Sequence, residues 1–180
     1  TRVGKIILKQ AAEKIQRVTM ELSGHAPFIV HADADIEKAA DIAMAAKYRN
    51  NGQVCISPSR FYIHESKKKQ FTDLFVNKTL KLKIGDGMKK DVQLGPITTK
   101  KRLNEIENLV ETTKREGAKL LCGGKRPAGF NKGYFYEPTV FDNVKDEFTI
   151  MKEEPFGPLT PLLSFKNFDE VINKANNQSA

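Results

Sequence analysis

An α/β fold, with helices packed on a largely parallel open sheet, is what this chain predicts. Three observations carry that expectation. Apolar residues at helical spacing alternate with short β-branched and aromatic runs along the whole chain. Each change of period is marked by glycine, proline or a capping Asp, Thr or Asn. The 180 residues, 39% of them hydrophobic, suffice for one domain with a sizeable core.

Taken in order, Gly4–Ile15 reads as a helix with Ile7, Leu8, Ala11, Ala12 and Ile15 on one stripe. Val18, Met20 and Leu22 alternate with Thr19 and Glu21, the period of a strand. That strand would set Glu21 near its C-terminal end, where ligands collect in open α/β sheets. Ala26–Val30 is a short apolar strand. Asp33–Arg49 is a helix that Asp35 can cap. Ile36, Ala39, Ala40, Ala43 and Ala46 give it a narrow stripe that permits close packing, and Gly52 suits the left-handed residue that stops it. Arg60–His64 is a strand by composition. A helix over Ser66–Leu80 turns Phe71, Leu74 and Phe75 inward and ends before the turn Gly85-Asp86-Gly87. Thr99 caps a helix through Arg115 that faces Leu103, Ile106, Leu109 and Val110 to the core, and Gly117 closes it. Lys119–Cys122 is a strand turned by Gly123-Gly124. Tyr134–Val140 is a strand-like run broken by Pro138, and Leu159–Phe165 is another strand. Asn167 with Glu170 three residues on forms a capping box for a last helix carrying Val171 and Ile172.

Composition excludes several classes. Thirty Lys+Arg against 22 Asp+Glu give a net charge of +8, which raises the question of nucleic acid. The lysines fall on helix faces and turn ends without aromatic interleaving or a binding motif, so no nucleic-acid partner is expected. No apolar run is long enough to span a membrane. Cys55 and Cys122 make neither a disulfide framework nor a metal spacing, which suits a reducing, cytoplasmic compartment, and no metal site is expected.

Two residues bear on chemistry. Cys55 sits in the short connection Asn50–Ser57 between a helix and a strand, where a thiol can be held firmly and still be reached. The plainer reading is a small buried hydrophobe, and that reading fits Cys122 well. Glu21 on its own is a solvated carboxylate. A carboxylate able to take a proton, near a thiol able to attack a carbonyl, makes a covalent-catalysis pair. Glu153-Glu154-Pro155-Phe156-Gly157-Pro158 reads as a rigid loop with a prominent Phe156.

Met20-Glu21-Leu22-Ser23-Gly24, Gly52-Gln53-Val54-Cys55 and Glu153-Glu154-Pro155-Phe156-Gly157-Pro158, in that order, resemble motifs of the NAD(P)-dependent aldehyde dehydrogenases. Asp33-Ala34-Asp35-Ile36, Gly85-Asp86-Gly87, Leu94-Gly95-Pro96 and Tyr136-Glu137-Pro138-Thr139 add smaller matches, so the resemblance covers essentially the whole chain. It implies a three-layer α/β/α catalytic domain and oxidation of an aldehyde to a carboxylic acid. Cys55 would be the nucleophile, passing through a thiohemiacetal and a thioester, and Glu21 would activate the hydrolytic water. Leu22, Glu154 and Phe156 would contact the nicotinamide end of NAD or NADP, with Glu154 on the ribose. An oxyanion would rest on the Cys55 backbone N–H and on an asparagine from an upstream domain; neither Asn50 nor Asn51 is assigned that part. Ser57-Pro58-Ser59-Arg60 is most similar to members acting on semialdehydes or general aliphatic aldehydes.

The resemblance also implies a piece of a longer enzyme. Thr1-Arg2-Val3-Gly4-Lys5 looks like the second half of a segment that opens a helix at the NAD phosphates. Residues 1–23 would close a dinucleotide-binding domain, and 24–180 would be a catalytic domain truncated near Ala180. The parent would be a homodimer or homotetramer, and the piece alone could be folded yet inactive. Two positions depart from the pattern: Ser23 stands where glycine is common and His25 where lysine is common. His25 is expected to make a local contact, with nothing nearby to orient it.

Overall fold

Alternation along the strands builds two cores rather than one. In β2 (Arg60–His64), Phe61 and Ile63 face one side of the sheet and Tyr62 the other. Leu162 and Leu163 divide in the same way within β5 (Leu159–Phe165), whose almost unbroken burial marks it as the central strand. The computed structural model describes residues 2–177. The motif residue Thr1 and the C-terminal residues 178–180 lie outside the described residues. With β1 (Pro27–Val30), β3 (Lys119–Cys122) and β4 (Thr139–Asp142), the strands form one sheet in the order β1-β2-β5-β4-β3. The β1–β2, β2–β5 and β5–β4 pairs are parallel, and only the β3–β4 pair is antiparallel.

On one face α2 (Ile36–Tyr48) and α3 (Glu65–Thr79) enclose Ala40, Ala43, Phe71 and Phe75, all at 0% exposure. The Asp35 carboxylate accepts from the Lys38 N–H at 3.2 Å and starts α2 as expected. Phe71 stacks on Phe75, and Phe75 on Tyr48, while Lys68 pairs with Asp142 to pin α3 to β4. The opposite face is covered by α4 (Lys100–Arg115), by the short α5 (Thr149–Lys152) and by α6 (Phe168–Asn176), over Leu103, Ile106, Tyr136 and Phe141. This is the three-layer α/β/α arrangement.

Several local expectations are corrected. The first helix, α1, runs Arg2–Ala12 and stops short of Ile15, which is left-handed and 93% exposed. An i→i−3 bond from Ile15 N–H to Ala12 O and a wider i→i−5 bond from Gln16 N–H to Ala11 O close it off. Residues 18–22 form no strand: period-two alternation is present, but among the described residues no strand lies beside them to complete a ladder. Residues 134–138 are likewise irregular, with β4 beginning after Pro138, which has no N–H to donate to a neighbouring strand. At α6, Asn167 caps the Glu170 N–H at 3.0 Å, but Glu170 reaches back to the Lys166 N–H rather than to that of Asn167.

Candidate active site

Because β1, β2 and β5 are parallel neighbours, the segments entering them all arrive on one edge of the sheet. Those segments are Ser23–Ala26, Asn50–Ser59 and Glu153–Pro158. The cleft therefore lies at the N-terminal edge of these strands and not at a strand's C-terminal end, as the alternation around Glu21 had suggested. It encloses about 630 Å³, and Cys55, Glu21, Leu22, Glu154 and Phe156 all line it.

Cys55 is exposed on a turn closed by the Ser57 N–H to Val54 O bond of 2.9 Å. The chain reaches that turn through three successive left-handed residues, Asn50, Asn51 and Gly52, with φ of 49°, 58° and 72°. Helix α2 thus ends at Tyr48, before Gly52, and Gly52 serves the turn rather than the helix end. A side chain at Gly52 would meet the Gly157 carbonyl, so the Cys55 turn and the Glu154–Phe156 loop touch backbone to backbone. The Asn50 amide donates to Gln53 O and the Asn51 amide to Gly95 O, each at 3.0 Å, which commits both amide nitrogens elsewhere than over Cys55.

Glu154 is half-buried. Burial raises its pKa above the ordinary carboxylate value, and bonds from the Ser23 hydroxyl and the Gly24 N–H, with the nearby Arg102 charge, oppose that rise. Ser23, the departure noted above, therefore ties the 21–24 segment to the loop of Glu154. Phe156 adopts a left-handed φ of 38°, and the Arg102 guanidinium lies 5.9 Å from its ring centroid. Glu21 and Leu22 are exposed; Leu22 also packs toward Gly4 of α1.

His25 is oriented after all. Its Nδ1 lies 2.6 Å from Ser59 Oγ, its carbonyl accepts from Arg60 Nε at 2.7 Å, and it is 6% exposed. Burial first, then the Arg60 charge, lowers its pKa to about 4. The ring is neutral at neutral pH. Behind the cleft Lys47 is 1% exposed, and burial brings its ammonium down to about 7 against the opposing pull of the Glu154 charge. Neither Lys47 nor Arg102 was singled out from sequence. Lys47 was legible as the one lysine continuing the 36–40–43 stripe of α2; Arg102 becomes a cleft residue only when α4 docks.

The aldehyde dehydrogenase family model matches residues 1–180. The chain belongs to the aldehyde dehydrogenase family. It is 46% identical to aldehyde dehydrogenase 1A1 of Equus caballus over 179 residues, 98% of this chain and 35% of that protein. A succinate-semialdehyde dehydrogenase structure from Burkholderia pseudomallei superposes with a TM-score of 0.95 at 40% identity, over 98% of this chain and 36% of that one. An NAD+ complex of an aldehyde dehydrogenase from Bacillus cereus gives 0.93 at 42%, again over 98% of this chain and 36% of that one. The family member described here thus spans about a third of the length of these relatives. Among its described residues no helix is long and apolar enough to cross a membrane, and no cluster of His, Cys, Asp and Glu is arranged to hold a metal.

Proposed function

We propose that this chain carries the catalytic half of an NAD(P)-dependent oxidation of an aldehyde to a carboxylic acid, with a semialdehyde or a general aliphatic aldehyde as the substrate class. The observation that carries the reading is the convergence of Cys55, Glu21, Leu22, Glu154 and Phe156 on one cleft. The division at residue 23, with 1–23 as the end of a dinucleotide-binding domain and 24–180 as catalytic domain, belongs to the same reading. So do a cytoplasmic setting and a homodimeric or homotetrameric parent.

The cleft suits the nicotinamide end of the cofactor. Glu154 offers a partly desolvated carboxylate to a ribose hydroxyl, and Phe156 offers a ring that Arg102 steadies. NAD or NADP, when bound, accepts the hydride. Cys55 Sγ adds to the aldehyde carbon, forming a C–S bond and a thiohemiacetal. Loss of hydride from that carbon leaves a thioester on Cys55. Glu21, on the same cleft, takes a proton from water, which adds to the thioester carbon; the C–S bond breaks and the acid leaves.

The test is a single-turnover experiment on the full-length enzyme. Cys55→Ala is expected to form no reduced nicotinamide. Glu21→Gln should give one burst of reduced nicotinamide and then stall with an acyl group on Cys55, detected by intact mass. Normal oxidation by Cys55→Ala would end this assignment. Calorimetric titration of the 180-residue chain with NAD then asks whether the residues present suffice for binding.

A further inference from the structure

We propose that Gln53 is a positioning residue for Cys55, and that it acts by clamping the nucleophile turn to the strap Gly95–Thr98. The inference rests on the reading of Cys55 as the nucleophile and adds to it the element that holds Cys55 in place.

The geometry is that of an arch with two feet. One foot is Ser57, whose hydroxyl donates to Lys47 O at 3.2 Å in the last turn of α2. The other foot is Gln53, which is 6% exposed and uses both ends of its amide. Its Nε2 donates to Asn50 O at 3.2 Å and to Pro96 O at 3.4 Å, and its Oε1 accepts from the Thr98 N–H at 2.9 Å. Asn51, 2% exposed, adds the bond to Gly95 O on the same strap. Cys55 stands at the crown of this arch, two residues from either foot.

The strap is a sound anchor. Leu94 and Ile97 are 0% and 1% exposed, Leu94 O accepts from the Gly85 N–H at 3.0 Å, and the Ile97 N–H donates to Tyr134 O at 2.9 Å. It runs directly into Thr99, the cap of α4. The turn it grips is strained: Asn50 and Asn51 hold left-handed conformations that asparagine tolerates but does not favour. A strained segment persists only where its surroundings over-determine it, and such segments gather where geometry matters for function. A purely local role would have been met by the Asn50 bond alone. Spending the remaining donor and the acceptor on a segment more than forty residues away in sequence fixes the position of the crown relative to the protein body.

The experiment compares two reactions of the same thiol in the full-length enzyme. Acetylation by p-nitrophenyl acetate forms an S–acyl bond, expels p-nitrophenolate and releases the thiol proton to solvent; its rate depends on where Sγ stands relative to groups that hold the ester. Alkylation by iodoacetamide depends on exposure and ionisation, with far weaker geometric demand. Cys55→Ala sets the background of both, read by mass spectrometry, and melting is followed in parallel. In Gln53→Met and Gln53→Glu the maximal acetylation rate should fall on the order of tenfold to a hundredfold, as a displacement of about 1 Å does. The ester concentration at half-saturation and the iodoacetamide rate should stay within about twofold of wild type, the split expected when placement alone is lost. Two outcomes overturn the clamp: acetylation unchanged in both variants, or acetylation and alkylation changing together with the melting temperature. A full-length wild-type enzyme that is not acetylated at Cys55 overturns the nucleophile reading, and the clamp with it.

Discussion

Gly52→Ala tests the contact that joins the Cys55 turn to the Glu154 loop. Gly52 has φ +72°, and a Cβ there would stand 2.7 Å from the Gly157 carbonyl carbon and closer still to its oxygen. Placing a side chain in the left-handed region costs about 1–2 kcal/mol. Relieving the overlap means moving backbone that Pro155 and Pro158 stiffen, and overpacking of this kind costs about 1–3 kcal/mol more. The expected loss is thus about 2–5 kcal/mol. Gly117→Ala is the control: its φ is +102°, but nothing lies within 4 Å of the added carbon, so it should lose only about 1–2 kcal/mol. Urea unfolding followed by circular dichroism measures both, since the chain has no tryptophan to report by fluorescence. Iodoacetamide labelling should also change at Cys55 in Gly52→Ala and not in Gly117→Ala. If Gly52→Ala loses no more stability than Gly117→Ala, the two loops do not bear on each other and the reasoning fails.

Three further outcomes are expected. His25, held at about 4 against an ordinary 6.5, stays neutral while the unfolded chain takes up a proton, so its contribution is full above pH 6.5 and is lost as pH falls toward 4. That gap is worth about 3 kcal/mol, and urea midpoints at the two ends of the window should diverge far less in His25→Gln. Lys47, lowered to about 7 by burial, makes the native state gain stability as pH rises from 7 toward 10.5; Lys47→Met should remove that rise and add about 1–3 kcal/mol at pH 7, with equal midpoints for variant and wild type counting against it. Phe75→Ala, at 0% exposure between Phe71 and Tyr48, should cost about 3–5 kcal/mol in the same assay and leave the Cys55 labelling rate of the folded protein unchanged.

Much of this molecule is legible residue by residue. The caps Asp35, Thr99 and Asn167 mark helix starts because each helix N-terminus needs acceptors for its free N–H groups and a local side chain supplies one. The runs Arg60–His64, Lys119–Cys122 and Leu159–Phe165 are strands as expected, and the Cys55, Glu21 and Glu154 motifs are readable as ordered short strings. The failures have a common origin. Val18–Leu22 alternates like a strand, yet a strand is defined by its neighbour, and none is beside it among the described residues. Ile15 fits a helical stripe, but the backbone had already unwound at Ala12. His25 looked unoriented because Ser59 and Arg60, which hold it, come 34 and 35 residues later.

What the sequence determined alone, then, is whatever depends on neighbours within a few residues: caps, periods, turns and the short motifs around Glu21, Cys55 and Glu154. Only the tertiary structure decided that Glu21, Cys55 and Glu154 share one cleft. Their separations along the chain carry no such information. The parallel pairing of β1, β2 and β5 brings three connecting segments to the same edge of the sheet, and the pairing of strands far apart in sequence is settled by burial on both faces at once. The same is true of Lys47: an ordinary lysine in the sequence becomes a buried, easily neutralised amine because α2 packs its stripe against the sheet.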